Sequence, residues 1–112
     1  MTESKSQVIQ RLEAVIRDRQ SNPTEQSYVS QLLDDAPMSL TSKLIEEAYE
    51  VVHALGDDEE NNTDAITHEA ADLLFHLLVV LGWSKVTWND VEQKLEDRFG
   101  MSGLQEKSQR LI

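Results

Sequence analysis

Two sets of carboxylates, eighteen residues apart, are the part of this chain best equipped for chemistry. Glu46, Glu47 and Glu50 fall within one helical turn, and Glu69 and Asp72 form the second set. Residues three and four apart share a helix face, so each set lines one side of its own helix. Asp72 leads into Leu73-Leu74-Phe75-His76-Leu77-Leu78-Val79-Val80-Leu81. A run apolar on every side marks a helix with neighbours all round, which turns the second acidic pair inward. Carboxylates packed together repel by about 3 kcal/mol per pair at ~5 Å and an effective dielectric of ~20. Protonation or a cation must relieve that repulsion. With oxygen ligands and no cysteine, a hard divalent ion such as Mg2+ is the natural partner.

A caged Mg2+ bridges to phosphate oxygens and makes a bound water easier to deprotonate, so phosphoanhydride hydrolysis is the expected reaction class. A chain of formal charge −11 can hold a polyanionic nucleotide only through metal and a few placed cations. Lys43, Arg98, Lys107 and Arg110 are the candidates, although for each alone a surface role is the plainer reading. His76 follows Asp72 by four residues, on the same face. A hydrogen-bonded histidine inside the bundle, or one supporting the ligands from behind, is expected there. Tyr28 and Tyr49 could stack on a base, with packing as the plainer role; Tyr28 is kept as a substrate-binding candidate. His53 and His68 read as incidental.

Four long helices and a short one must position these groups. Val8, Leu12, Val15 and Ile16 give an amphipathic helix over Gln7–Arg19, broken at Pro23. A helical turn or two follows over Ser27–Leu33, and Pro37 precedes a helix over Met38–Leu55 with Leu40, Leu44, Ala48, Val51 and Leu55 as its stripe. Gly56 ends it, and residues 56–64 form a polar loop. The next helix starts at Asp64 as N-cap and reaches Leu81 or Gly82. Thr87-Trp88-Asn89-Asp90 resembles a capping box opening a last helix to about Phe99. No stretch alternates like a half-buried strand, so the chain is expected to be all-α, a single domain over 1–112. Too few helices exist to surround the apolar one, so a four-helix core completed by homodimerisation is expected.

The acidic balance argues against nucleic acid and anionic membranes as partners. The polar N-terminus lacks a signal-peptide segment, and about nine apolar residues after Asp72 fall short of the ~20 a bilayer requires. A cytoplasmic location is therefore expected.

Glu46-Glu47-x-x-Glu50 with Glu69-x-x-Asp72 resembles the signature of the all-α, MazG-like nucleoside triphosphate pyrophosphohydrolases. Ser27-Tyr28 with Leu32-Leu33, the segment Glu69–Leu78, and Arg98…Gly100-x-Ser102-Gly103-x-x-Glu106-Lys107-x-x-Arg110 are similar to the phosphoribosyl-ATP pyrophosphohydrolase branch. The resemblance implies Mg2+-dependent cleavage of phosphoribosyl-ATP between the α and β phosphates, in histidine biosynthesis, by a dimeric helical bundle. It makes Glu47, Glu50, Glu69 and Asp72 the metal ligands, and Glu46 a further ligand or the base that orients water. Ile45 stands where that family commonly has glycine, Phe75 where it has tyrosine and Val29 where it has threonine; Ile45, beside the cage, is expected to narrow the substrate pocket. Lacking cysteine, the chain has no match to the zinc cyclohydrolase often fused to this activity, so the monofunctional form is expected. Two other readings compete: an enzyme that destroys non-standard nucleotides, and a non-catalytic acidic module that only dimerises.

Overall fold

The computed structural model describes residues 7–56 and 62–99, and among them it contains five α-helices and no strand. They are α1 (Val8–Ser21), α2 (Tyr28–Asp34), α3 (Met38–Leu55), α4 (Thr63–Trp83) and α5 (Trp88–Asp97). The all-α expectation holds, and α3 has the bounds its periodicity indicates. The most extensive packing is between α3 and α4, an antiparallel pair. Asn62 ties the two together where they meet: its side-chain amide donates to the Ala54 carbonyl at 2.8 Å. Asn62 also stands at the N-cap of α4, so Asp64 lies inside the first turn rather than capping it. There its charge still favours the helix through the macrodipole.

The core forms where α1 and α2 close over the α3–α4 pair. Ile16, Val29, Leu32, Leu40, Leu78 and Val79 are its buried residues, with Leu12, Leu74, Phe75 and Trp88 packed around them. Of the α1 stripe, Ile16 is buried and Leu12 half-buried, but Val8 and Val15 are exposed. In α3, Leu40 and Ala54 are buried while Ala48 and Leu55 face out. Helix α4 departs furthest from expectation. Only His76, Leu78 and Val79 are fully buried, while Leu73, Leu74, Phe75, Leu77, Val80 and Leu81 are half-buried. At 21 residues, with an 18-residue stretch of mean hydropathy 1.4, it has the length and composition of a membrane span, yet it carries Glu69 and Asp72 and packs along α3.

Local chemistry sets the ends. Ser27 caps α2 by accepting from the Ser30 N–H at 3.2 Å, and the α2–α3 corner passes through a cis Ala36–Pro37 bond. Both halves of the Thr87–Asp90 capping box form. The Thr87 backbone N–H and then its side chain hold the Asp90 carboxyl below its ordinary value. That contribution is present above the ordinary carboxylate range and is lost as pH falls through the lowered value. The carboxylate of Glu13 accepts from the Trp88 N–H at 2.8 Å, fastening α5 to α1.

Helix α4 ends in a Schellman turn, with Lys85 N–H bonded to Gly82 O and Val86 N–H to Leu81 O. Lys85 occupies the left-handed position at φ 64°, where a side chain is strained and glycine is not. One turn earlier, Gly82 lets α1 approach, and a Cβ there would stand 2.7 Å from Ile16 Cγ2. Ile16 is 1% exposed and stiff at χ1, so it cannot yield. Gly82→Ala is expected to destabilise the chain by about 1–3 kcal/mol, and Lys85→Gly to stabilise it by roughly 0.5–1 kcal/mol. Chemical denaturation of both variants beside the parent measures the two shifts.

Candidate metal centre

Glu47 from α3 and Glu69 and Asp72 from α4 converge: one oxygen from each lies within 4.8 Å of the others. Glu47 is buried, at 9% exposure, and its two partners are half-buried. The donor set is what a hard cation takes. Octahedral Mg2+ at 2.0–2.1 Å from each ligand would set neighbouring oxygens about 3 Å apart, so closure by up to about 2 Å brings this trio into range.

Lys43 and His68 border the trio. Lys43 Nζ lies 3.2 Å from a Glu46 oxygen and 3.7 Å from a Glu47 oxygen, one helical turn away on α3. The hydrogen bond to Glu46 is the main reason the Lys43 ammonium titrates above its ordinary value; burial opposes it, and Tyr28, Glu46 and Glu47 reinforce it. That ion pair is complete below the ordinary lysine range and is lost only as pH rises through the elevated value. On α4, His68 Nε2 lies 3.3 Å from an Asp72 oxygen. Sequence reasoning passed over His68, although its place four residues before Asp72 is the signal that could have found it.

Behind Asp72 stands a buried polar chain. The Asp72 carbonyl is 2.8 Å from His76 Nδ1, and His76 Nε2 is 2.9 Å from the Tyr28 hydroxyl. His76 is 7% exposed, whereas Tyr28 is 44% exposed. The Tyr28 and Phe75 rings stack with centroids 6.2 Å apart, and His76 meets both edge-on. His76 is therefore a hydrogen-bonded interior histidine, its Nδ1 on the Asp72 backbone carbonyl and not on the carboxylate.

The other candidates are more dispersed. Glu50 is half-buried one turn along α3 and lies outside the tight trio. Glu46 is exposed and engaged by Lys43. Arg98 sits at the C-cap of α5, a helix that packs chiefly on α1. Lys107 and Arg110 lie outside the described residues, as do residues 57–61 of the connecting loop. Ile45 does not crowd the carboxylates. It is 67% exposed and borders a shallow apolar hollow of about 200 Å³ with Leu40, Leu44, Val80 and Trp83. A two-residue step turns a helix by ~200°, which carries Ile45 to the face opposite that of Glu47. Tyr49, also expected to pack, is 64% exposed and stacks on His53.

The sequence model for phosphoribosyl-ATP pyrophosphohydrolase matches residues 9–99. The chain belongs to the phosphoribosyl-ATP pyrophosphohydrolase family. Among its relatives, the phosphoribosyl-ATP pyrophosphatase of Burkholderia vietnamiensis is 41% identical over 111 residues, 98% of this chain and 92% of that protein. The phosphoribosyl-ATP pyrophosphatase of Ruthia magnifica subsp. Calyptogena magnifica is 38% identical over 103 residues, 92% of this chain and 95% of that protein. The histidine biosynthesis bifunctional protein HisIE of Prochlorococcus marinus is 44% identical over 84 residues, 75% of this chain and 36% of that protein. The trio and its flanking Lys43, His68, His76 and Tyr28 all lie inside the matched span.

If repulsion among the three carboxylates is relieved by a cation, metal must stabilise the fold. At Mg2+ about 100-fold above its dissociation constant, the gain is about 2.7 kcal/mol, seen as a rise in Tm. Glu47→Gln and Asp72→Asn are expected to melt at or above the parent's temperature without metal and to lose most of the Mg2+-induced rise. Thermal melts with and without Mg2+ read both effects.

Proposed function

We propose that this chain hydrolyses phosphoribosyl-ATP between its α and β phosphates, yielding phosphoribosyl-AMP and pyrophosphate as a Mg2+-dependent step of histidine biosynthesis. The observation that carries this reading is the convergence of Glu47, Glu69 and Asp72 within 4.8 Å, in a chain matched to the family over residues 9–99. Those three residues would hold the ion, with Glu50 completing the set from the next turn. When bound, Mg2+ supplies charge neutralisation at the phosphates and a water of lowered pKa.

The chain's own groups do the rest. Glu46, at the outer edge of the cluster, orients the attacking water and receives its proton. The water oxygen forms a new bond to phosphorus while the bridging α–β P–O bond breaks, and pyrophosphate leaves. Lys43 turns from Glu46 and Glu47 toward the phosphate charge. Arg98, Lys107 and Arg110 add cations for the polyphosphate, and Tyr28 meets the nucleoside portion.

The enzyme is proposed to be a cytoplasmic homodimer with no nucleic-acid or membrane partner. Surface chemistry supports the assembly: Met38, Ile45 and Val52 repeat every seven residues on α3 and are 72%, 67% and 63% exposed, with Tyr49 and Leu55 beside them. A heptad seam of this kind fits another helix, and an apolar face this continuous marks an interaction site.

Pyrophosphate release from phosphoribosyl-ATP and from a panel of dNTPs, each with Mg2+, tests the reading. Phosphoribosyl-ATP is expected to be preferred and chelation by EDTA to abolish release. Glu50→Ala should lower kcat on the order of 100-fold with the dimer's mass unchanged. Preference for the dNTPs would transfer the chain to nucleotide clearance. Full activity in Glu50→Ala would remove Glu50 from the ligand set.

A further inference from the structure

Hydrogen-bond donors and acceptors along the Asp72–His76–Tyr28 chain can be assigned by elimination. The Asp72 carbonyl has only lone pairs, so His76 Nδ1, 2.8 Å away, must carry the hydrogen. In the neutral ring Nε2 is then bare and can only accept. The group facing it at 2.9 Å is the Tyr28 hydroxyl, which must donate. A phenol has one hydrogen, and His76 takes it. What remains at Tyr28 is an oxygen with a lone pair on a side chain 44% exposed.

The position of that oxygen matters because of its neighbours. Through His76 it is tied to the backbone of Asp72, a member of the trio. Tyr28 thus stands two hydrogen bonds from the backbone of a trio residue, its ring fixed by stacking on Phe75 and by the edge of His76. Anionic phosphate oxygens are acceptors, and an acceptor facing an acceptor gains nothing.

From this geometry we infer that His76 is a positioning residue that presents the Tyr28 oxygen as an acceptor for a hydrogen-bond donor on the nucleoside portion of the substrate, a ribosyl hydroxyl or a base amine, and not for phosphate. The inference rests on the hydrolase reading above and adds to it a division of labour: cations and metal take the phosphates, while Tyr28 reads the nucleoside end. Substrates lacking the donor lose the contact, which makes the pair a specificity element.

Steady-state kinetics on phosphoribosyl-ATP with Mg2+ tests this. Tyr28→Phe and His76→Leu should each raise KM about 5- to 20-fold with kcat changed less than about twofold. The double variant should be no worse than either single one, because His76 acts through Tyr28. His76→Gln, whose amide oxygen can replace Nε2 as acceptor, should recover most of the affinity lost in His76→Leu. Inhibition by Mg2+-pyrophosphate, which lacks nucleoside donors, should be equal in the parent and Tyr28→Phe. Substrate analogues lacking one ribosyl hydroxyl or the base amine identify the donor as the one whose loss makes the parent and Tyr28→Phe alike.

The inference is overturned if His76→Leu leaves KM unchanged, if the losses multiply, or if pyrophosphate inhibition weakens in step with KM. Nitrogen-15 spectra of the parent give a second check that does not depend on activity: His76 must show a protonated Nδ1 and a bare Nε2, and a hydrogen on Nε2 overturns the assignment. A parent chain that releases no pyrophosphate refutes the hydrolase reading and this inference together. An active parent with indifferent variants refutes the inference alone.

Discussion

Three carboxylates from two helices, held with oxygens within 4.8 Å of one another, repel each other, and the arrangement around them follows from that repulsion. Glu47 is buried, so water cannot screen it fully. Lys43 takes up part of its charge from one side, and His68 borders Asp72 on the other. One lysine, shared with Glu46, does not balance three carboxylates, and a divalent cation supplies charge of the sign still needed. The helices bear the strain because their contacts lie elsewhere, in the apolar core that begins one turn beyond Asp72.

The site is as rigid as the α3–α4 pair, and the smaller helices serve that pair. Helix α1 seats Ile16 against Gly82, and Gln20 donates to the Gly82 carbonyl at 3.1 Å. Helix α2 contributes Val29 and Leu32 to the core and presents Tyr28 to His76. That hydrogen bond links residues 48 apart in the chain. Helix α5 attaches through Glu13 and Trp88 and makes its contribution to α1.

Much of this was legible in the residues. The capping box at Thr87, the stops at Pro23 and Gly56, and the paired acidic spacings are local signals that tertiary packing had no reason to override. The inward turn expected of Glu69 and Asp72 is met only in part, since both are half-buried and the Asp72 side chain is 43% exposed. Rotation about each helix was harder to read. Glu50 lies about −60° and ~4.5 Å from Glu47 along α3, enough to leave it outside the trio. Ile45 and Tyr49 fall on an outer stripe that periodicity alone cannot distinguish from an inner one, since α3 carries apolar residues on two faces. The half-exposed surface of α4 has the same origin: apolar composition tells that a surface seeks cover, not which chain provides it. The Tyr28–His76 contact, made between distant segments, has no local signature at all.

Whether the three carboxylates surround one divalent ion is tested most directly by diffraction from crystals grown with Mn2+ in place of Mg2+. An anomalous-scattering peak is expected between Glu47, Glu69 and Asp72, within about 2.3 Å of an oxygen from each. Mn2+ bound elsewhere, with Lys43 and His68 still seated on Glu47 and Asp72 and no peak between the three, would contradict a shared ion.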